Sequence, residues 1–354
     1  MTSSKLSFNL IFIVMVNNLN ILILFIEIDI YFLLYTIYDV INHIFGGGNL
    51  LSHTESRIKG IFFAVIGASL WGLGGTVSDY LFKYEGIQID WYVTARLIIS
   101  GLFLLMIFKI MNPKQSVFII FKHLSHVVTL LIYSLFGMLI VQYAYMSSIN
   151  TGNAAVATLL QYIAPVYIML WFVFRGKERL KIFDVLAMIL TLVGTFLLLT
   201  NGSVSKLVVA PSSLFWGILA GLALAFYTIY ANQLLNKYAS ILVVGWAMII
   251  SGLVMNLRHP IWHAHFSQWH SSTITFLIFG IIGGTALAFY LFIDSLKYLS
   301  AKETTLFGTI EPVVAVLASS LWLNVTFKSL QILGMLLIML LILILSLKKQ
   351  PEGT

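Results

Sequence analysis

Apolar residues along this chain neither alternate nor recur at helical spacing. They run in continuous blocks separated by short connections that carry charge, Pro or Asn and Gly. The blocks fall at about 60–82, 91–110, 127–148, 154–174, 182–200, 213–234, 241–257, 275–296, 304–323 and 329–347. A bilayer core about 30 Å thick is crossed by about 20 apolar residues in a helix, so the pattern predicts ten transmembrane helices. Short connections make neighbours in sequence antiparallel hairpins. A transmembrane β-barrel would show strands alternating in polarity, which these blocks do not.

Composition narrows the class. Of 354 residues, 60% are hydrophobic and 9% charged, against about 25% charged in soluble domains. Too few polar side chains exist to wet a folded surface, which sets aside a soluble enzyme, a nucleic-acid binder and a disordered chain. The net charge of +7 is spread between the apolar blocks rather than clustered. In a membrane protein, such charge marks cytoplasmic loops. If the ten-helix unit starts inside at Arg57, fourteen of the twenty basic residues fall on the inner side. Four (Lys83, Lys206, Arg258 and Lys328) fall outside, leaving Lys5 and the intramembrane Arg96. Both ends of the unit are therefore expected in the cytoplasm of a multi-pass plasma-membrane protein. There is no cysteine, hence no disulfide or cysteine metal site.

Residues 1–56 stand apart. Residues 8–26 and 30–45 are apolar but broken by Asn17, Asn18 and Asn20 and by Asp39 and His43. No small-residue cleavage site of a signal peptide follows the first run. The stretch reads either as an extension with added hydrophobic segments or as translated sequence ahead of a later start.

The chain repeats itself. Sliding the third to fifth helices by 147 positions superimposes Gly137 on Gly284, Tyr143 on Tyr290, Ser148 on Ser295 and Ala154 on Ala301. Thr158 meets Thr305, Ile163 meets Ile310, and Pro165-Val166 meets Pro312-Val313. Two copies of five helices follow, at about 57–206 and 207–354, the second ending in a cytoplasmic tail. Five is odd, so the second copy starts on the opposite side and the halves are inverted. The expected fold is an all-α integral membrane protein of two inverted five-helix repeats, the architecture of many secondary transporters.

Particular residues resemble the drug/metabolite transporter superfamily, specifically its EamA-type ten-helix members, over about residues 57–349. They are Gly67-Ala68-Ser69-Leu70-Trp71-Gly72, Ala95-Arg96-Leu97, Ala154-Ala155-Val156-Ala157 with Ala164-Pro165-Val166, Gly176-Lys177-Glu178-Arg179-Leu180, and Glu311-Pro312-Val313. The repeat-equivalent of Glu178 is Val325, a departure from the family's turn. The resemblance implies transport of small metabolites, often export of amino acids or related compounds. Rival readings are a passive channel or facilitator and a lipid-handling flippase or membrane enzyme.

Of six prolines, only Pro165 and Pro312 lie inside spans, at equivalent positions. Each removes a helical hydrogen bond and frees the carbonyl four residues earlier, of Gln161 and of Gly308. Backbone freed at that depth needs a protein or water partner, and paired broken helices point to a transporter site. Glu311, beside Pro312, is the most deeply placed acid. It either binds a cationic group or carries a proton, or it hydrogen-bonds locally and fixes the halves. Arg96 either clamps a substrate carboxylate, or snorkels outward or locks a neighbouring helix. Under the family arrangement, Trp71, Gln142, Tyr143, Thr158, Gln161, Tyr162, Tyr227, Asn232, Tyr290 and Thr309 face the kinked region, an aromatic wall with polar handles for a small amphipathic substrate. Asp294 and Lys297, three apart, read as a surface pair.

Trp91 and Trp216 read as interface aromatics. Gly217-xxx-Gly221 and Gly280-xxx-Gly284 read as close helix packing. His259, His263, His265 and His270 share a loop, but Pro260 breaks their spacing and no nearby carboxylate is expected, so no metal or cofactor is predicted. No Walker, His-Glu-x-x-His or Gly-x-Ser-x-Gly motif supports ATP-driven transport or hydrolysis. A proton is the candidate coupling ion.

Overall fold

A computed structural model describes residues 51–176, 182–203, 206–264 and 269–347. The reading of the first 50 residues, and the turn at 177–181, lie outside them. Ser56–Thr354 forms one unit, described below; of the separate unit before it, only residues 51–55 at the start of the first helix are described.

Ten long helices, two of them broken, follow in order among the described residues: α1 (Leu51–Lys83), α2 (Ile89–Met111), α3 (Leu124–Thr151), α4a (Ala154–Gln161) with α4b (Ala164–Phe174), and α5 (Ile182–Thr200). The second half holds α6 (Pro211–Leu235), α7 (Ser240–Arg258), α8 (Ser271–Ser295), α9a (Ala301–Gly308) with α9b (Ile310–Leu321), and α10 (Ser329–Leu347). Eight are long and apolar enough to cross a bilayer, and α5 and α10 hold the shorter apolar stretches Met188–Thr200 and Ser329–Leu340. Large apolar side chains point outward along them, as with Leu192 at 71% exposure in mid-α5. In a lipid solvent that exposure costs nothing.

The packing is that of two inverted halves. Each of two helices lies against its own repeat-equivalent, α2 along α7 and α5 along α10, and the first piece of α4 lies against the second piece of α9. A two-fold axis between the halves produces such self-pairings. Where these helices cross, each half supplies a glycine. A Cβ on Gly101 would sit 2.8 Å from the Gly245 carbonyl, and one on Gly334 would sit 2.5 Å from that of Gly194. Small residues substitute for the missing hydrophobic force between helices in lipid. The two Gly-xxx-Gly spacings also serve contact: Gly217 and Gly221 meet Leu160, and Gly284 meets Gly74.

α3 and α8 are not the uninterrupted α-helices that their apolar runs predict. Each contains a π-helical stretch, Tyr133–Leu139 and Phe279–Leu287, at equivalent places. Such wide turns loosen the backbone ladder, and here serines of neighbouring helices meet the carbonyls. Ser100 of α2 donates to the Ile281 carbonyl at 2.8 Å, and the Ser251 hydroxyl of α7 lies 2.9 Å from the Ser134 carbonyl, sharing its proton with the Ala247 carbonyl of its own helix at 2.7 Å. The N-terminal caps are duplicated too. Asn153 caps α4a by accepting from the Val156 N–H, and Ser300 caps α9a in a reciprocal box with Glu303.

Candidate substrate site at the paired helix breaks

α4 stops at Gln161 and restarts at Ala164, one residue before Pro165. α9 stops at Gly308 and restarts at Ile310, two residues before Pro312. The Gly308 carbonyl freed by Pro312 faces the Tyr162 hydroxyl at 2.8 Å, and the same hydroxyl lies 2.8 Å from Glu311 Oε2. One phenol from the first break thus holds both a backbone acceptor and an acid of the second. At the first break, α6 approaches instead: a Cβ on Gly221 would lie 3.5 Å from the Gln161 carbonyl. The Gln161 Oε1 is buried without a hydrogen-bond partner.

The phenol has one proton and two acceptors within bonding distance. It can give that proton to only one of them. Both contacts are satisfied together when Glu311 itself carries a proton and donates it to the phenol oxygen, while the phenol donates to Gly308. Glu311 is 8% exposed. α1 passes close by through Gly72, where a Cβ would lie 2.6 Å from the Glu311 carbonyl. Aromatic rings gather at the second break. Phe292 approaches Gly308, and Trp71 packs on Phe292 and Phe289 with ring centres 4.8 and 4.9 Å apart.

Arg96 is 4% exposed, so it does not snorkel to the end of α2. Its Nη1 donates to Met146 Sδ of α3 at 3.3 Å, a weak acceptor, and its Nε has no partner. The guanidinium lies within electrostatic reach of Glu311, Tyr145 and Tyr92. Tyr145 joins Thr158 of α4a at 2.8 Å. Fully buried Asp79 accepts from the Ala154 N–H at 3.1 Å and sits 2.8 Å from Lys83 Nζ, which donates to the Gly152 carbonyl. A carboxylate at a helix N-terminus is favourable, and this one fastens α1 to the start of α4a. At the same end, Tyr80, Phe276 and Trp322 stack within 5.4 Å of one another. Glu85 accepts there from Tyr80 and Thr273.

The other residues expected at the site are more dispersed. Gln142 is buried with Oε1 unpartnered. Tyr143 packs edge-on to Trp216, Tyr227 stacks on Tyr133 at 4.8 Å, and Tyr290 is half-buried against the core. Asn232 is exposed on α6, three residues before that helix ends, and does not join them. Tyr145 is the residue that the sequence reading left out of its site. Its spacing from Gln142, one helical turn on the same face of α3, is the signal that carried it. Asp294 and Lys297 form an ion pair, but not a surface one, since Asp294 is buried. The histidine loop corrects an expectation: a carboxylate is close after all, since Asp90 at the start of α2 lies 3.1 Å from His259. His265 lies outside the described residues.

The profile of the EamA-like transporter family matches residues 58–200 and again 211–347. Those two segments hold both breaks and nearly all ten helices. The chain belongs to the EamA-like transporter family. Its general role is therefore transport, within the drug/metabolite transporter superfamily, as a multi-pass protein of the plasma membrane. It is 32% identical over 298 residues to a Salmonella typhimurium protein named "Uncharacterized inner membrane transporter YicL", covering 84% of this chain and 98% of that one. The "Uncharacterized transporter YxxF" of Bacillus subtilis is 28% identical over 198 residues, covering 54% and 61%. A crystal structure at 18% identity shares the fold with a TM-score of 0.55, covering 82% of this chain and 96% of the other.

Proposed function

We propose that this EamA-family transporter moves a small amphipathic metabolite, such as an amino acid or related compound, outward by alternating access between its halves. The observation that carries this reading is the Tyr162 phenol, which joins the break in α4 to the break in α9 and to Glu311. Broken helices that meet at the interface of inverted repeats are where substrate sites form in secondary transporters. Tyr162, Glu311, Gln161 and Trp71 are the central binding residues in this reading, and Pro165 and Pro312 the hinges. Gln142, Tyr143, Tyr227 and Tyr290 extend the wall. The stack of Tyr80, Phe276 and Trp322 is the gate at the end opposite the basic loops. Those basic loops face the cytoplasm, with both ends of the ten-helix unit.

Flux into and out of proteoliposomes, over a panel of amino acids and amphipathic drugs, tests the proposal. The expected result is saturable flux of at least one solute, accelerated by unlabelled solute on the far side. Non-saturating flux without such exchange would support a passive channel instead. Movement of labelled lipid between leaflets in place of solute flux would support the lipid-handling reading.

A further inference from the structure

The site holds a buried cation with too little to bind. A guanidinium offers five N–H donors. Among the described residues, the hydrogen bonds of Arg96 go to uncharged acceptors, the Met146 thioether and the Tyr92 phenol. The acids and phenols near it have claims elsewhere. Asp79 is taken by Lys83 and the Ala154 N–H. Tyr92 is bonded to Ser78, and Tyr145 to Thr158. Glu311 is held by Tyr162 in the arrangement that satisfies both phenol contacts only when Glu311 is protonated. A protonated Glu311 cannot neutralise Arg96. An uncompensated charge in a water-poor interior is costly, so the site is built to receive an anion.

From this we infer that Arg96 binds the carboxylate of the transported solute, and that ionised Glu311 competes with that carboxylate for Arg96, so that substrate and proton are bound together. The inference deepens the transport reading and rests on it. With Glu311 protonated, the guanidinium is open and a carboxylate can pair with it bidentately. When Glu311 loses its proton, it becomes the counter-ion of Arg96 and the solute is displaced. Among the described residues, the titratable and charged groups that bear on Glu311 are Tyr162 from α4, Arg96 from α2 and Tyr145 from α3, with Asp79 of α1 acting on Tyr145. Each carboxylate carried outward then takes a proton with it. Export would thus run down the solute's own gradient, as an overflow valve, because an inward proton gradient opposes it.

The test is calorimetric titration of the purified full-length chain in detergent, between pH 5.5 and 8.5. The probes are acetate, 3-phenylpropionate, L-leucine and L-phenylalanine, with isopentylamine and phenethylamine as the matching amines without a carboxylate. At least one carboxylate should bind and the amines should not. Above the pH at which Glu311 ionises, affinity should fall about tenfold per pH unit. Binding should consume a proton, seen as a heat that changes with buffer ionisation enthalpy. Glu311→Gln should bind the carboxylate without this pH dependence, and Arg96→Gln should lose it. The wild-type pH profile and proton uptake decide the matter even if Arg96→Gln fails to fold. Amine binding that strengthens with rising pH would overturn the inference, because Glu311 would then be the ligand. So would pH-independent carboxylate binding, or the absence of carboxylate binding altogether. In each of those cases, saturable flux of any solute would leave the transport reading standing.

Discussion

The two helix breaks share a backbone and differ in chemistry. Gln161, Tyr162, Ala164 and Pro165 in α4 correspond to Gly308, Thr309, Glu311 and Pro312 in α9. Both helices stop and restart at that point. Yet the first break supplies a phenol and no acid, while the second supplies the acid and a bare carbonyl. Tyr162 reaches across to its partner break, whereas Thr309 bonds back to the Leu306 carbonyl of its own helix at 2.7 Å. Duplication copied the backbone fault. Three of the four corresponding positions differ, so the crossing is symmetric in backbone and asymmetric in chemistry.

The largest effect should come from the acid. Glu311→Ala removes the group that links the halves and regulates Arg96, and substrate flux in proteoliposomes should fall at least about tenfold, or ~1.4 kcal/mol in the rate-limiting barrier. Alanine stands at the equivalent position of the first break, so this variant makes the two breaks alike there. Unaltered flux would mean that the asymmetry has no function.

Next comes the comparison of Tyr162 with its equivalent, Thr309. Tyr162→Phe leaves the Gly308 carbonyl and Glu311 without their shared partner, at a cost of about 1–3 kcal/mol. Thr309→Val removes one local bond and should cost less, about 0.5–1.5 kcal/mol. Denaturation midpoints in detergent compare them, and equal losses would contradict the bridging role of Tyr162.

The scaffold should behave oppositely, with matched losses in the two halves. Ser100→Ala and Ser251→Ala each remove one hydroxyl bonded to a π-helical carbonyl, for about 0.6 kcal/mol apiece in a membrane protein. A strong inequality between them would show that the halves differ in their frame as well as in their site. The smallest effect is expected at Asn232, whose side chain is exposed near the end of α6. Asn232→Ala should change stability by no more than about 0.5 kcal/mol and leave flux unchanged.

Much of this was readable before any coordinates. Ten spans, the inverted repeat and the paired breaks follow from apolar run length, a fixed shift of 147 positions and two prolines, because lipid permits few ways to satisfy a backbone. The carbonyl freed by Pro312 was likewise predictable. Its partner was not, since Tyr162 lies 146 residues away and hydroxyl direction leaves no trace in spacing. The π-helical stretches were hidden because an apolar run looks the same in either ladder. Their matching serines, Ser100 and Ser251, could be noticed only once the crossings were known. Asn232 was grouped with the site by the family arrangement, but rotation of α6 about its axis decides what it faces, and a dense apolar helix carries little periodic signal of that rotation. Asp90 near His259 was missed because the two are far apart in sequence.

The absence of cysteine gives the most direct test of alternating access. Gln161→Cys places a single thiol at the first break, where the native side chain has a buried, unpartnered oxygen. Membrane-impermeant maleimide should label that thiol from either face of oriented vesicles, with transported solute slowing the reaction from both. Labelling from one face alone, whatever the solute, would contradict a site that opens to each side in turn.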